Sequence, residues 1–214
     1  MSLAAAVATI EEAAAALGVA LAPDDAAWIA RFGELVLHWN RRVRLVGPSD
    51  LATLARDHLV DALGFVRAIR AAHAPAWWDV GAGAGLPGLV LARLLPEVRF
   101  DLVEPTGKKA AFITHAATTL GLTNARAHAL RDDQLPPGGA RAALSRATFA
   151  PEVWAARGQA LVGPAGVVLV ALGAVAAPEV EARAAFVDRY TLPGSGAART
   201  NLLLLGPEHP GLAP

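Results

Sequence analysis

The sequence predicts a single α/β domain built around a mainly parallel, doubly wound β-sheet. From Ala76 onward, apolar strand candidates alternate with segments of helical composition, a pattern typical of βα units. A glycine-rich turn follows the first strand candidate, and a short turn joins the last two. The length of 214 residues suits one globular domain, with or without a small appendage.

Seven strand candidates define the predicted sheet. Five are expected to lie parallel, at residues 77–80, 99–104, 125–129, 141–145 and 167–172. The last two, at residues 186–192 and 200–205, flank Pro193-Gly194-Ser195-Gly196. That turn predicts a closing antiparallel hairpin rather than another crossover.

The region before the first strand predicts three helices. Residues 4–17 are alanine-rich and end at Gly18, Asp24 can cap a second helix, and a third follows Ser49. We therefore expect an N-terminal helical cap at residues 1–75 that is integral to the domain. The α/β core follows at residues 76–206, and residues 207–214 form a frayed tail.

Composition limits the classes of protein to consider. Nineteen Lys and Arg residues balance nineteen Asp and Glu residues, so a nucleic-acid partner would have to be held by a local patch. No apolar run is long enough to span a bilayer, no secretory signal is evident and cysteine is absent, so we expect a soluble, cytoplasmic protein without membrane attachment. No metal-ligand spacing, nucleophile elbow or Gly-Lys-Ser/Thr phosphate loop is present, and we predict no metal.

The strongest local signal is the segment from Asp79 to Gly88, which reads Asp-Val-Gly-Ala-Gly-Ala-Gly-Leu-Pro-Gly. Its glycines allow a tight turn against which a ligand can lie on bare backbone. Counted from Gly81, the third glycine of a dinucleotide fingerprint would fall at Leu86, so the dehydrogenase spacing is not met. The alternative is an ordinary strand-to-helix connection.

Polar residues end or directly follow the next three strand candidates, and parallel strands bring these positions to one sheet edge. Glu104 can accept hydrogen bonds from ribose hydroxyls, and Asp132 and Asp133 can accept one from an adenine amino group. Arg146 can meet an anionic ligand group or brace its loop. The alternative is that these acids bind no ligand: Glu104 would then be an exposed residue at a strand end, and Asp132 and Asp133 would be solvent-exposed loop residues. Together with the glycine turn, these positions favour a class I (Rossmann-like) methyltransferase that binds S-adenosylmethionine.

The sequence resembles the glucose-inhibited division protein B family, bacterial methyltransferases that modify guanine N7 in small-subunit (16S) ribosomal RNA. The resemblance spans about residues 28–205. It is carried, in chain order, by Trp39-Asn40, His58-Leu59-Val60-Asp61, the Asp79–Gly88 segment, Gly107-Lys108-Lys109 and Ser145-Arg146-Ala147.

The resemblance implies S-adenosylmethionine as cofactor and ribosomal RNA or the small ribosomal subunit as partner. It assigns cofactor contacts to Gly81, Leu86, Glu104 and the Asp132-Asp133 pair, with Arg146 beside the site; Asp79, Gly83 and Gly85 complete the predicted cofactor set. Substrate candidates, which include the basic residues beside the cap, are Asn40, Arg41, Arg42, Arg44, His58, Asp61, Lys108 and Lys109. We assign no catalytic residue, because neutral guanine N7 carries no proton that a general base would have to remove.

Several family positions differ in this chain. The family's Asn-Leu-Thr after the first Trp-Asn is Arg44-Leu45-Val46, the serine after His-x-x-Asp is Ala62, and the lysine near the end of the fifth strand is Leu172. Two alternatives therefore remain: a related methyltransferase acting on another RNA, a small molecule or a protein, and a noncatalytic cofactor-binding paralogue.

Overall fold

A computed structural model describes residues 1–212 of the chain and contains one seven-stranded sheet with helices on both faces. The strand order is β3-β2-β1-β4-β5-β7-β6. The strands are β1 (Ala76–Val80), β2 (Arg99–Val103), β3 (Ala125–His128), β4 (Ala142–Ser145), β5 (Val167–Leu172), β6 (Phe186–Thr191) and β7 (Ala198–Leu205).

The first five strands are parallel and the last two close the sheet as a hairpin, as the sequence predicts. β7 runs antiparallel to β5, with Leu172 opposite Thr200. The start of β7 therefore lies at the same sheet edge as the carboxyl ends of the parallel strands. This arrangement, with its sheet reversal beside β1, is the predicted class I methyltransferase fold.

Five helices precede the sheet: α1 (Leu3–Leu17), α2 (Asp25–Asn40), α3 (Leu51–Leu54), α4 (Val60–Leu63) and α5 (Val66–Ala71). The third predicted helix is interrupted, because residues Ala55–Leu59 form a π-helical turn between α3 and α4. Ser2 caps α1 and Gly18 ends it in the left-handed region. Asp24 stands at the start of α2 but makes no capping hydrogen bond; the Asp25 side chain instead accepts one from the Ala22 amide at 2.8 Å.

Four further helices connect the strands: α6 (Gly88–Leu94), α7 (Gly107–Thr119), α8 (Pro151–Val162) and α9 (Pro178–Glu181). Alternate residues of the central strands face opposite layers, as in β4, where Ala142 and Leu144 pack with the N-terminal helices and Ala143 packs with Trp154 of α8. Both faces of the sheet are thus covered, which is the condition for a parallel sheet.

The segment after β7 is more ordered than the sequence predicts. The Gly206 and Glu208 amides donate to the carbonyls of Gly166 and Pro164, which extends the attachment of the chain beyond the sheet. The last two residues of the predicted tail lie outside the described residues. Within residues 1–212, no helix combines the length and apolarity needed to cross a membrane.

Candidate functional site

The carboxyl edge of the parallel strands holds two cavities that share one turn. The turn follows β4, where the Ser145 hydroxyl donates to the carbonyl of Val80 at 2.7 Å and so fixes β4 against β1. Ala147 has a φ of +57°, a left-handed conformation that costs an alanine about 1–2 kcal/mol. The backbone reversal at Ala147 places Arg146 in one cavity and Thr148 in the other.

The three glycines of the predicted cofactor turn have different surroundings. A Cβ at Gly81 would lie 2.4 Å from Thr148 Oγ1, and one at Gly85 would lie 2.6 Å from Leu89 Cδ1. Only Gly83 has open space above it, with the carbonyl oxygen of Gly81 as its nearest neighbour at 3.9 Å. Gly83 is therefore the glycine that a ligand can approach, whereas Gly85 packs the turn against α6.

Asp79 lies beneath this turn and is 1% exposed. Its Oδ2 accepts a hydrogen bond from the Gly88 amide at 2.9 Å, while its Oδ1 has no partner among the described residues. Burial raises the pKa of Asp79 to about 7, against the lowering effect of the Gly88 hydrogen bond. Leu86, also predicted to line the site, is buried in the hydrophobic core.

Glu104 holds the glycine turn from the neighbouring strand. Its Oε2 accepts from the Gly83 amide at 3.0 Å and its Oε1 accepts from the Thr106 amide at 2.8 Å. Each carboxylate oxygen can accept a second hydrogen bond, so capacity for ligand hydroxyls remains. Glu104 thus connects the end of β2 to Gly83, the glycine of this turn that has open space above it.

Cavity A lies beside these residues and has a volume of about 250 Å³. It is lined by Val80, Gly81, Val103, Pro105, Leu130, Arg131, Asp132, Thr148 and Phe149. Of the two predicted aspartates, only Asp132 lines it, and that side chain also forms an ion pair with Arg157. Asp133 is 61% exposed and pairs with Arg131 at 3.4 Å, so the structure separates the two carboxylates.

Cavity B lies on the other side of the β4 turn and has a volume of about 460 Å³. It is lined by Asp57, His58, Asp61, Phe65, Arg146, Ala147, Ala171, Leu172, Gly173, Ala174, Tyr190, Arg199 and Asn201. The π-helical turn and α4 bring His58 and Asp61 to this cavity. There they meet Arg146, which the sequence predicted beside the cofactor site.

Asp61 is the central carboxylate of cavity B. Arg146 Nη1 donates to Asp61 Oδ2 at 2.8 Å and Arg199 Nε donates to Asp61 Oδ1 at 3.2 Å. Arg146 Nη2 also lies 3.4 Å from His58 Nδ1. Burial, followed by the charge of Arg146, lowers the pKa of His58. Because one carboxylate is shared by two guanidinium groups, the part of cavity B around Asp61 suits an acceptor-rich or anionic ligand.

The remaining substrate candidates do not all face a cavity at this edge. Asn40 has a structural role instead: its Oδ1 accepts from the Leu45 and Val46 amides, and its Nδ2 donates to the carbonyls of Val46 and Pro48. These four bonds hold the loop after α2 and use its ordinary hydrogen-bonding capacity. The basic candidates Arg41, Arg42, Arg44 and Lys108 are exposed, and Lys109 is half-buried.

Sequence reasoning missed several cavity residues. Thr148 and Phe149 follow the recognised Ser145-Arg146 motif, but only the left-handed Ala147 directs them to cavity A. Tyr190 and Arg199 are paired across the closing hairpin. The antiparallel direction of β7 is the signal that could have placed Arg199 at the site, because the first residues of that strand lie at the ligand-binding edge. No group of three or more His, Asp or Glu side chains within residues 1–212 is arranged to hold a metal ion.

Comparison with known sequences gives a match to one family over most of the chain. Residues 26–190 match the family described as rRNA small subunit methyltransferase G. The chain is 34% identical to the ribosomal RNA small subunit methyltransferase G of Anaeromyxobacter sp. over 90% of its own length and 94% of that protein. It is 35% identical to the protein of the same name from Myxococcus xanthus, covering 86% and 89% of the two chains.

Comparison with solved structures concerns the fold alone, because sequence identities are low. A SAM-dependent methyltransferase from Aquifex aeolicus superposes with a TM-score of 0.52 at 13% identity, covering 72% of this chain and 93% of that one. TYW2 of M. jannaschii, solved in complex with AdoMet, gives a TM-score of 0.50 at 10% identity, covering 64% and 72%. Both neighbours have the predicted class I methyltransferase architecture.

Proposed function

The chain belongs to the rRNA small subunit methyltransferase G family, and we propose that it transfers a methyl group from S-adenosylmethionine to guanine N7 in small-subunit ribosomal RNA. The observation that carries the proposal is the pair of cavities on either side of the Arg146–Thr148 turn. Cavity A and the glycine turn take the cofactor, and cavity B takes the target base. The shared turn keeps the two ligands adjacent, as direct transfer requires.

The residues of cavity A and the glycine turn fit the cofactor. Gly83 leaves open space beside its backbone, and Glu104 retains acceptor capacity for the two ribose hydroxyls. The unpartnered Oδ1 of Asp79 can accept from the cofactor's amino group, directly or through water. The apolar side chains of Val103 and Leu130 suit the adenine ring.

Cavity B fits a guanine in size and polarity. Its volume lies within the range of about 300–1,000 Å³ typical of small-molecule pockets. The guanidinium donors of Arg146 and Arg199 match the O6 acceptor of guanine or the phosphate attached to the nucleotide. Asp61 holds both arginines in place, so they act as positioned donors rather than as mobile side chains.

The chemistry requires positioning more than proton transfer. When bound, S-adenosylmethionine would supply a methyl group on a positively charged sulfur, and its transfer would form a bond to the N7 lone pair and break the carbon–sulfur bond. N7 carries no proton, so a general base is unnecessary, which agrees with Asp61 being occupied by two arginines. The residues around cavity B contribute by orienting the base and excluding water. The protein would act in the cytoplasm, where its RNA substrate is assembled.

The test is methylation of small ribosomal subunits that lack the modification. Purified protein is incubated with radiolabelled S-adenosylmethionine and either unmodified subunits or their naked RNA, and the product nucleoside is identified by mass spectrometry. We expect label in 7-methylguanosine, and none when the subunits are already fully modified. Tight cofactor binding with no labelled ribosomal RNA would reject the proposed substrate.

A further inference from the structure

A third pocket lies on the surface formed by the end of α2 and the middle of α7, outside cavities A and B. It has a volume of about 360 Å³ and is lined by His38, Trp39, Arg42, Val43 and His115. We call it the Trp39 pocket. It has the composition of a nucleobase site, because aromatic rings and a guanidinium group line the same concave surface.

Trp39 is the rigid element of this pocket. Its ring packs against the buried Phe112, with centroids 5.5 Å apart, and against the exposed His115, with centroids 5.1 Å apart and planes inclined by 39°. The indole is only half-buried, so part of it remains accessible. An aromatic ring that is held by packing and remains partly exposed can stack a base without first having to be ordered.

The two chain segments that supply the pocket are basic although the chain as a whole is neutral. Residues 35–49 and 105–131, which supply its two sides, contain no Asp or Glu. The first segment carries the exposed Arg41, Arg42 and Arg44. On α7, Lys108 precedes Phe112 and His115 by four and seven residues, so all three lie on one face of the helix. This basic surface extends from the pocket toward the sheet edge that holds Glu104.

We propose that the Trp39 pocket is a second RNA-binding site, which stacks an unpaired base on Trp39 and His115 and holds its phosphate with Arg42. The inference rests on the proposed function, and it identifies where RNA outside the target nucleotide is gripped. A base in a duplex is stacked on its neighbours and does not present a free face. The site is therefore selective for single-stranded RNA.

The experiment measures RNA binding by fluorescence anisotropy, using the full chain with saturating S-adenosylhomocysteine. The probes are a short fluorescein-labelled RNA strand and the same strand in a duplex. The test variants are Trp39→Leu, which keeps an apolar contact with Phe112, and Arg42→Glu and His115→Glu, which alter exposed side chains. Arg141→Glu is the matched control, because Arg141 is exposed and immediately precedes β4 at the opposite edge of the sheet.

We expect Trp39→Leu to weaken single-strand binding by about five- to a hundredfold, the range for loss of one base–aromatic stack. Arg42→Glu and His115→Glu should each weaken binding at least about fivefold, and Arg42→Glu should lower the slope of log Kd against log salt by about one or more. Arg141→Glu should bind as the parent does, and the parent should prefer the single strand. Affinity for S-adenosylhomocysteine should change less than about twofold in every variant, which verifies folding.

The inference is overturned if the two surface variants bind single-stranded RNA like Arg141→Glu, whatever happens to Trp39→Leu, or if the duplex binds as tightly as the single strand. Its failure is distinct from failure of the proposed function. If only the inference fails, the parent still methylates unmodified small-subunit RNA, and the variants retain the parent's KM for that RNA. If only the proposed function fails, RNA binding still depends on the Trp39 pocket, but no methyl group is transferred to ribosomal RNA.

Discussion

Arg146 at the end of β4 donates a hydrogen bond from Nη1 to Oδ2 of Asp61 on α4, at 2.8 Å, with side chains that are 16% and 9% exposed. The same carboxylate accepts from Arg199 Nε at 3.2 Å. Asp61 therefore ties the helices before the sheet to the end of β4 and to the closing hairpin. Without this negative charge, two guanidinium groups would face each other in a partly desolvated cavity.

Asp61→Asn should lower the free energy of unfolding by about 3–5 kcal/mol, the usual cost of removing one partner from a buried ion pair. It should also reduce methyl transfer more than cofactor binding, because the arginines of cavity B lose their position. Urea unfolding and kcat measured at saturating cofactor test the two effects. Asp57→Asn is the control for stability alone, because Asp57 also lines cavity B: it is 36% exposed, and its pairing with Arg56 is a surface contact. Equal stability of the two variants would contradict the role given to Asp61.

Gly83→Ala should weaken cofactor binding by at least tenfold with little loss of fold. The new methyl group points into open space within the protein, but it stands where the cofactor must approach. The left-handed φ of +57° adds a strain of about 1–2 kcal/mol. Gly121→Ala is matched for strain, with a φ of +73° and no neighbour within 4 Å, and lies just beyond α7. Titration calorimetry should find normal affinity in Gly121→Ala; similar affinities in the two variants would count against a cofactor at Gly83.

The sheet could be predicted from sequence because local pattern and topology agree. All seven strand candidates form strands, with ends that differ from the prediction by at most two residues. Short apolar runs bounded by turn residues leave few alternatives to a buried strand. The π-helical turn at Ala55–Leu59 could not be predicted. An apolar stripe there fits a continuous helix equally well, and the choice depends on packing against the rest of the protein.

The candidate site was only partly predictable, for a related reason. Motif position brings Asp79, Glu104 and Arg146 to one edge, but it does not say how a side chain is used. The four hydrogen bonds of Asn40 to its own loop and the contact of Gly85 with Leu89 depend on tertiary geometry. Arg199 lies far along the chain from the motifs, and only the β5–β7 register brings it to Asp61.

Glu104→Gln should reduce cofactor affinity by more than tenfold. The carboxylate accepts from the Gly83 and Thr106 amides, whereas a glutamine places an NH₂ group against one of these donors. The variant therefore loses a hydrogen-bond acceptor for the cofactor, and it also holds the glycine turn less firmly. Glu97→Gln, on the exposed connection between α6 and β2, is the matched control. Equilibrium dialysis with labelled cofactor should separate the two variants, and wild-type affinity in Glu104→Gln would exclude a direct role for this carboxylate.

Asp79 should make the stability of the cofactor-free protein pH-dependent. Its pKa rises from an ordinary value of 3.8 to about 7 in the folded protein, chiefly because burial disfavours the charged form. Below pH 3.8 both folded and unfolded chains are protonated there, and the stabilising effect of the raised pKa is complete. Between about pH 4 and pH 7 the unfolded chain ionises first, so stability falls as pH rises, by up to about 1.4 kcal/mol per pH unit.

The Asp79→Asn variant isolates this contribution from other titrating groups, because its amide oxygen can still accept from the Gly88 amide. We expect the free energy of unfolding of the parent, taken relative to the variant, to decrease by a few kcal/mol between pH 5 and pH 8 and to change little above pH 8. Urea unfolding across this range provides the measurement. Parallel curves for the two proteins would mean that Asp79 titrates near its ordinary pKa, and that its unpartnered Oδ1 is reached by water before any cofactor binds.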